Sequence, residues 1–150
     1  MARGFCGLLG NIKEAPIQHD NTHSPLSHMK KMWELYPNDI KFTIDVRQAE
    51  FHKSLTETCE SAFLWDNNLV PHLHLSDYSG GCMDWSRLRH IPHLGDGDVD
   101  YKYLFSFLKS IGYSGSITYE QNFTSEDANL LPMLDKAYEF IANGLNQNNA

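Results

Sequence analysis

The chain has 150 residues, 41% of them hydrophobic and 21% charged, with a formal net charge of −7. That length predicts a single domain over 1–150, and the composition is globular rather than disordered. The acidic balance argues against a broad nucleic-acid footprint, which needs clustered positive charge, and no apolar run reaches the ~18 residues of a membrane span.

The predicted elements alternate strand and helix. Residues 5–11 read as a short apolar strand. Ser24-Pro25 supplies an N-cap followed by proline in the first turn, opening a helix to about Tyr36 that stops before Pro37. Residues 40–46 (IKFTIDV) are β-branched and aromatic, a strand. Across 48–65, Phe51, Leu55, Cys59 and Ala62 form one helical stripe. Residues 71–77 (PHLHLSD) give a third strand, 78–99 a long loop, and 100–111 a second helical stripe ending at Gly112. Residues 114–120 (SGSITYE) give the fourth strand. A last helix over 130–143 puts Leu131, Leu134, Tyr138 and Ile141 on one face, with Pro132 in its first turn, and the tail from Gly144 to Ala150 reads as frayed. The order predicts an α/β chain of four βα units around a parallel sheet. A closed eight-unit barrel needs about 200–250 residues or more, so this would be half of one, with two open sheet edges to cover.

Side chains alternate across a strand. Phe42, Ile44 and Val46 fall on one side, Thr43 and Asp45 on the other; Leu73 and Leu75 oppose His72 and His74; Ile117 and Tyr119 oppose Thr118 and Glu120. Each polar side ends in an ionisable group: Asp45, His74, Glu120. One imidazole and two carboxylates from three strand ends suit a divalent ion that accepts mixed nitrogen and oxygen ligands, such as Mn²⁺, Zn²⁺ or Co²⁺. The plainer alternative is a half-exposed His-x-His pair and acidic helix N-caps.

Other features are read more simply. Gly95-Asp96-Gly97-Asp98 lacks nucleotide-loop spacing and reads as a turn before a helix capped by Asp98 or Asp100. His90 and His93 lie in the long loop, either as accessory ligands or proton-transfer groups, or as solvated surface. Asp77 closes a turn or supports His74 from behind. Arg87 and Arg89 read as surface charge, and Cys82 as inert. The three cysteines, Cys6, Cys59 and Cys82, lack CxxC spacing and read as reduced thiols of a cytoplasmic protein. The start, MARGFCGLLGN, is too short and Gly-rich for a secretory leader.

Leu73-His74-Leu75-Ser76-Asp77, then His90 and Gly95-Asp96-Gly97-Asp98-Val99-Asp100, then Ile111-Gly112-Tyr113-Ser114-Gly115 and Thr118-Tyr119-Glu120 together resemble the C-terminal half of the xylose isomerase-like TIM-barrel superfamily. That group includes sugar and sugar-phosphate isomerases and epimerases and endonuclease-IV-type nucleases. The resemblance runs from about Ile40 to Phe123 and implies a partial barrel equivalent to strands five to eight. It implies that Asp45, His74 and Glu120 are ligands of a divalent metal (Mn, Zn, Co or Mg), with Glu120 also a base beside the substrate, and His72, Asp77, His90 and His93 accessory. The chain departs from the family pattern at four places. Gly10-Asn11 stands where the strand-five Glu-Asn is expected, Gln48 where a histidine often follows the strand-six Asp, Ile91 at the loop-histidine position, and Gly80 in place of an arginine some epimerases carry.

The implied activity is metal-assisted proton transfer next to a carbonyl of a sugar or sugar phosphate. Only Glu120 remains of the usual carboxylate pair, so activity would call for a homo-oligomer or for pairing with an N-terminal half. The alternatives are an endonuclease-IV-like phosphodiesterase, which the −7 charge and Gln48 disfavour, and a non-catalytic fold fragment or interaction module.

Overall fold

A computed structural model of the chain describes residues 6–8, 25–120 and 130–146. In chain order the elements are β1 (Cys6–Leu8), α1 (Pro25–Leu35), β2 (Phe42–Asp45), α2 (Val46–Phe51), α3 (Leu55–Cys59), α4 (Ala62–Asp66), β3 (His72–Leu75), β4 (Asp77–Ser79), β5 (Arg89–Ile91), α5 (Tyr101–Ser110), β6 (Ser116–Tyr119) and α6 (Leu130–Asn146). The Ser24 cap, Gly10-Asn11 and the residues after 146 lie outside the described residues.

The main sheet has the order β1-β2-β3-β6. β2, β3 and β6 are parallel, as the alternation of strands and helices predicts. β1 corrects the expectation of four parallel units, because it pairs antiparallel with β2. Antiparallel bonds are slightly the better ones per residue.

The sheet is two-faced as the alternation requires. Phe42, Ile44, Leu73 and Leu75 are at most 1% exposed and join Leu64, Val46, Leu104 and Leu108 in the core beneath the helices. Each such side chain is worth about 1.5–3 kcal/mol of burial. The opposite face carries Thr43, which is buried, and His72, His74, Ser116 and Thr118, which are at least partly open to solvent.

The helix expected over 48–65 is three short helices. Lys53 takes φ +55, Ser54 N–H donates to the Ala49 carbonyl at 2.8 Å, and Lys53 N–H donates to Glu50 at 2.9 Å. This is the double hydrogen bond that closes a helix around a left-handed residue. The same closure recurs after α4 at Asn68 (φ +51), through Leu69 to Leu64 and Asn68 to Trp65. It recurs again after α5 at Gly112, the stop signal visible in the sequence. Lysine carries no such signal, so an unbroken stripe of apolar residues hides the first break.

The loop expected over 78–99 contains a two-stranded antiparallel ribbon, β4 with β5. Its far turn is held by Met83 N–H donating to the Phe51 carbonyl and by Trp85 packing on the Phe51 ring, centroids 4.3 Å apart. α6 also departs from expectation. Ala137, Phe140 and Gly144 face α5, with the Phe140 ring edge-on to Tyr101 and tilted against Phe105. Leu131, Leu134 and Tyr138, expected to be inward, are 73%, 39% and 75% exposed. Gly144, expected in a frayed tail, is helical and leaves no room for a β-carbon against Phe105.

Candidate functional site

The three parallel strands bring Asp45, His74 and Glu120 to one end of the sheet. Asp45 is level with His74 in the β2–β3 register. Glu120 follows β6 and donates its backbone N–H to Leu75 at 2.8 Å, which sets it beside the end of β3. His74 Nδ1 and Glu120 Oε2 are 3.2 Å apart, with side chains 36% and 42% exposed. Two ligands of one first-row ion, each bonded at about 2.0–2.2 Å, lie roughly 3.0–3.5 Å apart. The spacing therefore fits a shared cation as well as a hydrogen bond.

Asp45 is differently occupied. Its Oδ1 accepts from Gln48 N–H at 3.0 Å and caps α2, and its Oδ2 lies 3.9 Å from the Arg47 guanidinium. Burial pushes its carboxyl above the usual range, against the opposing pull of the Gln48 N–H and Arg47, while Glu120 pushes the same way as burial. The capping role is the plainer of the two expectations for this residue. Among the described residues no three His, Cys, Asp or Glu side chains come together closely enough to hold a metal ion.

The expected accessory residues scatter. His72 Nδ1 lies 2.6 Å from Ser116 Oγ, and its ring stands edge-on to His74 at 4.9 Å. His90 Nδ1 faces Arg47 Nη1 at 2.8 Å. His93 lines a separate cleft with Leu94, Asp96, Lys136 and Phe140.

Of the two roles expected of Asp77, the structure supports the closing of a turn and not the support of His74. It is wholly buried, and its two oxygens accept from four backbone N–H groups: Tyr78 at 2.8 Å and Val99 at 3.2 Å on Oδ1, Gly95 at 2.8 Å and Gly97 at 3.1 Å on Oδ2. A carboxylate offers about four acceptor positions, so none is left for a metal or for His74. Asp77 instead shapes the Gly95–Val99 turn that delivers Asp100, whose side chain caps α5 by accepting from Tyr103 N–H. A β-carbon on Gly97 would overlap Asp77 Oδ1 and the Tyr78 carbonyl. Gly97→Ala is expected to cost about 1–3 kcal/mol in chemical denaturation, the usual penalty of overpacking.

Thiol chemistry is not available at the buried cysteine: burial pushes the Cys59 thiol up to about 12, which keeps it protonated and inert at neutral pH. The residue the sequence reading passed over is Arg47. Its only signal is an arginine two positions after a strand-end aspartate.

Burial, and then the neighbouring His74, lowers the pKa of His72; burial, and then Arg47, lowers that of His90. The unfolded chain therefore binds more protons just below the ordinary value of 6.5. The stability these rings contribute is present above 6.5 and is lost as pH falls through their depressed folded values. Urea midpoints are expected to drop between about pH 7.5 and 5.5, and to drop less in a His72→Gln/His90→Gln variant. Equal slopes would contradict this.

No protein-family model matches the chain, and no curated protein matches it either. No helix among the described residues is long and apolar enough to cross a membrane.

Proposed function

We propose that the chain is a sugar or sugar-phosphate isomerase/epimerase-like protein built on a partial TIM barrel, working in the cytoplasm. The single observation that carries the reading is the convergence of His74 and Glu120, 3.2 Å apart, at the C-terminal ends of adjacent parallel strands. That is the end at which βα folds place their chemistry.

In this reading His74 Nδ1 and Glu120 Oε2 hold a divalent cation, with Asp45 as a third ligand once its carboxylate turns from Gln48. The cation, when bound, polarises a substrate oxygen. Glu120 takes the proton from the carbon next to the carbonyl and returns it to the neighbouring position. Half-exposure of both side chains leaves room for a substrate against them. The β6 edge, unpaired among the described residues, supports pairing with a second copy or with a chain supplying the first half of a barrel. Such a partner would also provide the second carboxylate.

The test is solvent-deuterium incorporation into a panel of ketoses, aldoses and their phosphates with Mn²⁺ present. Exchange next to the carbonyl, reduced about 100-fold or more in Glu120→Gln, is expected from the loss of a general base. A metal-loaded protein that exchanges nothing in the panel would overturn the enzymatic reading. A second reading, a non-catalytic fold fragment, is favoured by the commitment of Asp45 to capping α2 and facing Arg47.

A further inference from the structure

Arg47 stands where the chain leaves the sheet, directly after β2 and two residues past Asp45. Its side chain is only 14% exposed. Among the described residues, one of its five N–H donors reaches a partner at full hydrogen-bond distance, Nη1 to His90 Nδ1 at 2.8 Å. Asp45 Oδ2 at 3.9 Å is beyond hydrogen-bond reach of Nη2. Nε is buried with no hydrogen-bond partner among the described residues. A guanidinium withdrawn from water with most of its fork unspent is costly unless an acceptor completes it.

The other arginines of this region offer no such enclosure. Arg87 and Arg89 are exposed, and Arg89 donates to the Ser86 and Leu88 carbonyls of its own loop.

We propose that Arg47 is an oxyanion clamp, seating a phosphate or carboxylate group of the substrate at the end of the sheet that also carries His74 and Glu120. The proposal rests on the metal-assisted reading above for its substrate, but not for its anion. His90 braces the guanidinium from β5, and the accepting Nδ1 places the ring proton on Nε2. Asp45 and Glu120 share this end of the sheet, so the local field does not favour an anion. The hold comes from the planar fork, which matches two oxygens of a carboxylate or phosphate at once. Lysine carries the same charge without the fork and would not replace it.

The experiment uses the full chain in EDTA, labelled with ¹⁵N, with the Arg47 Nε–H and Gln48 amide signals followed by NMR. Inorganic phosphate and glycolate are titrated separately. A saturable shift at Arg47 with either is expected, weakened about tenfold or more in Arg47→Lys, where Gln48 remains the reporter. Saturation by phosphate assigns a phosphorylated substrate; saturation by glycolate alone assigns a sugar acid. The proposal is overturned by no saturable shift with either anion, by shifts centred on Arg87, Arg89 or Lys136 instead, or by equal affinity in Arg47→Lys. The wild-type Nε–H signal decides the matter even if the lysine variant fails to fold. Because the metal is chelated throughout, a failed metal site and a failed anion site give separate results.

Discussion

Asp77→Ala is expected to lower the unfolding free energy by about 3–5 kcal/mol, the largest single-residue effect outside the apolar core. The carboxylate is wholly buried and is the common acceptor for the N–H groups of Tyr78, Gly95, Gly97 and Val99. Hydrogen bonds to a charged group are worth about 1.5–3 kcal/mol each, and four sharing one acceptor do not add fully. Alanine leaves all four donors without their partner. Asp77→Asn keeps the shape but turns an NH₂ group toward two of the donors, so it is expected to lose nearly as much. Urea denaturation with comparison of midpoints and slopes measures both. A loss below about 1 kcal/mol for Asp77→Ala would contradict the structural role. Metal affinity supplies the complementary check. An outer partner of a metal ligand costs about 10–100-fold in affinity when removed, whereas the arrangement around Asp77 predicts almost no change.

His74→Ala and Glu120→Ala are each expected to weaken Mn²⁺ or Co²⁺ binding by about 100-fold or more, at or beyond the cost of losing an outer-shell partner. The reason is geometric. The two donor atoms are already at a spacing one ion can bridge, and removing either leaves a single neutral or anionic ligand in a half-exposed position. Asp45→Asn is expected to cost about tenfold at most, because Asp45 Oδ1 is engaged by the Gln48 N–H and its Oδ2 faces Arg47. Isothermal titration calorimetry ranks the three. An Asp45 variant that loses as much as the His74 variant would show that leaving the α2 cap costs the carboxylate little. Equal retention by all three would remove the site.

The parts of this fold that rest on local patterns were legible in the sequence. Alternation in 42–45 and 72–75 separates the buried face from the polar one, and Gly112 closes α5. What escaped are features decided by partners distant in sequence. Lys53 adopts a left-handed conformation to close α2, and nothing in a lysine announces it. The β4–β5 ribbon depends on a turn anchored to Phe51, some thirty residues earlier. α6 carries apolar residues on two sides, and periodicity alone cannot tell that Phe140 meets α5 while Tyr138 meets solvent.

The candidate site divides in the same way. Strand-end positions put Asp45, His74 and Glu120 at one end of the sheet, where His74 and Glu120 meet and Asp45 turns to cap α2. Which of them is committed elsewhere depends on hydrogen bonds that spacing cannot show. Asp77 follows the histidine strand and reads equally as a turn-closing residue or as a supporting partner of His74, and its four backbone donors decide for the turn. Arg47 was passed over because its enclosure between Asp45 and His90 joins residues 43 positions apart.

The most direct test of the metal-assisted site is paramagnetic broadening of the eight histidine ring signals by Mn²⁺ at well under one equivalent per chain. The His74 ring signals are expected to vanish first, followed by those of His72, whose ring lies 4.9 Å away. His28, on α1, and His52, directly after α2, are expected to broaden only at higher Mn²⁺ than His74 and His72. Uniform broadening of all the rings, or loss centred first on His93 beside the acidic turn of Asp96, Asp98 and Asp100, would contradict a metal site at His74 and Glu120.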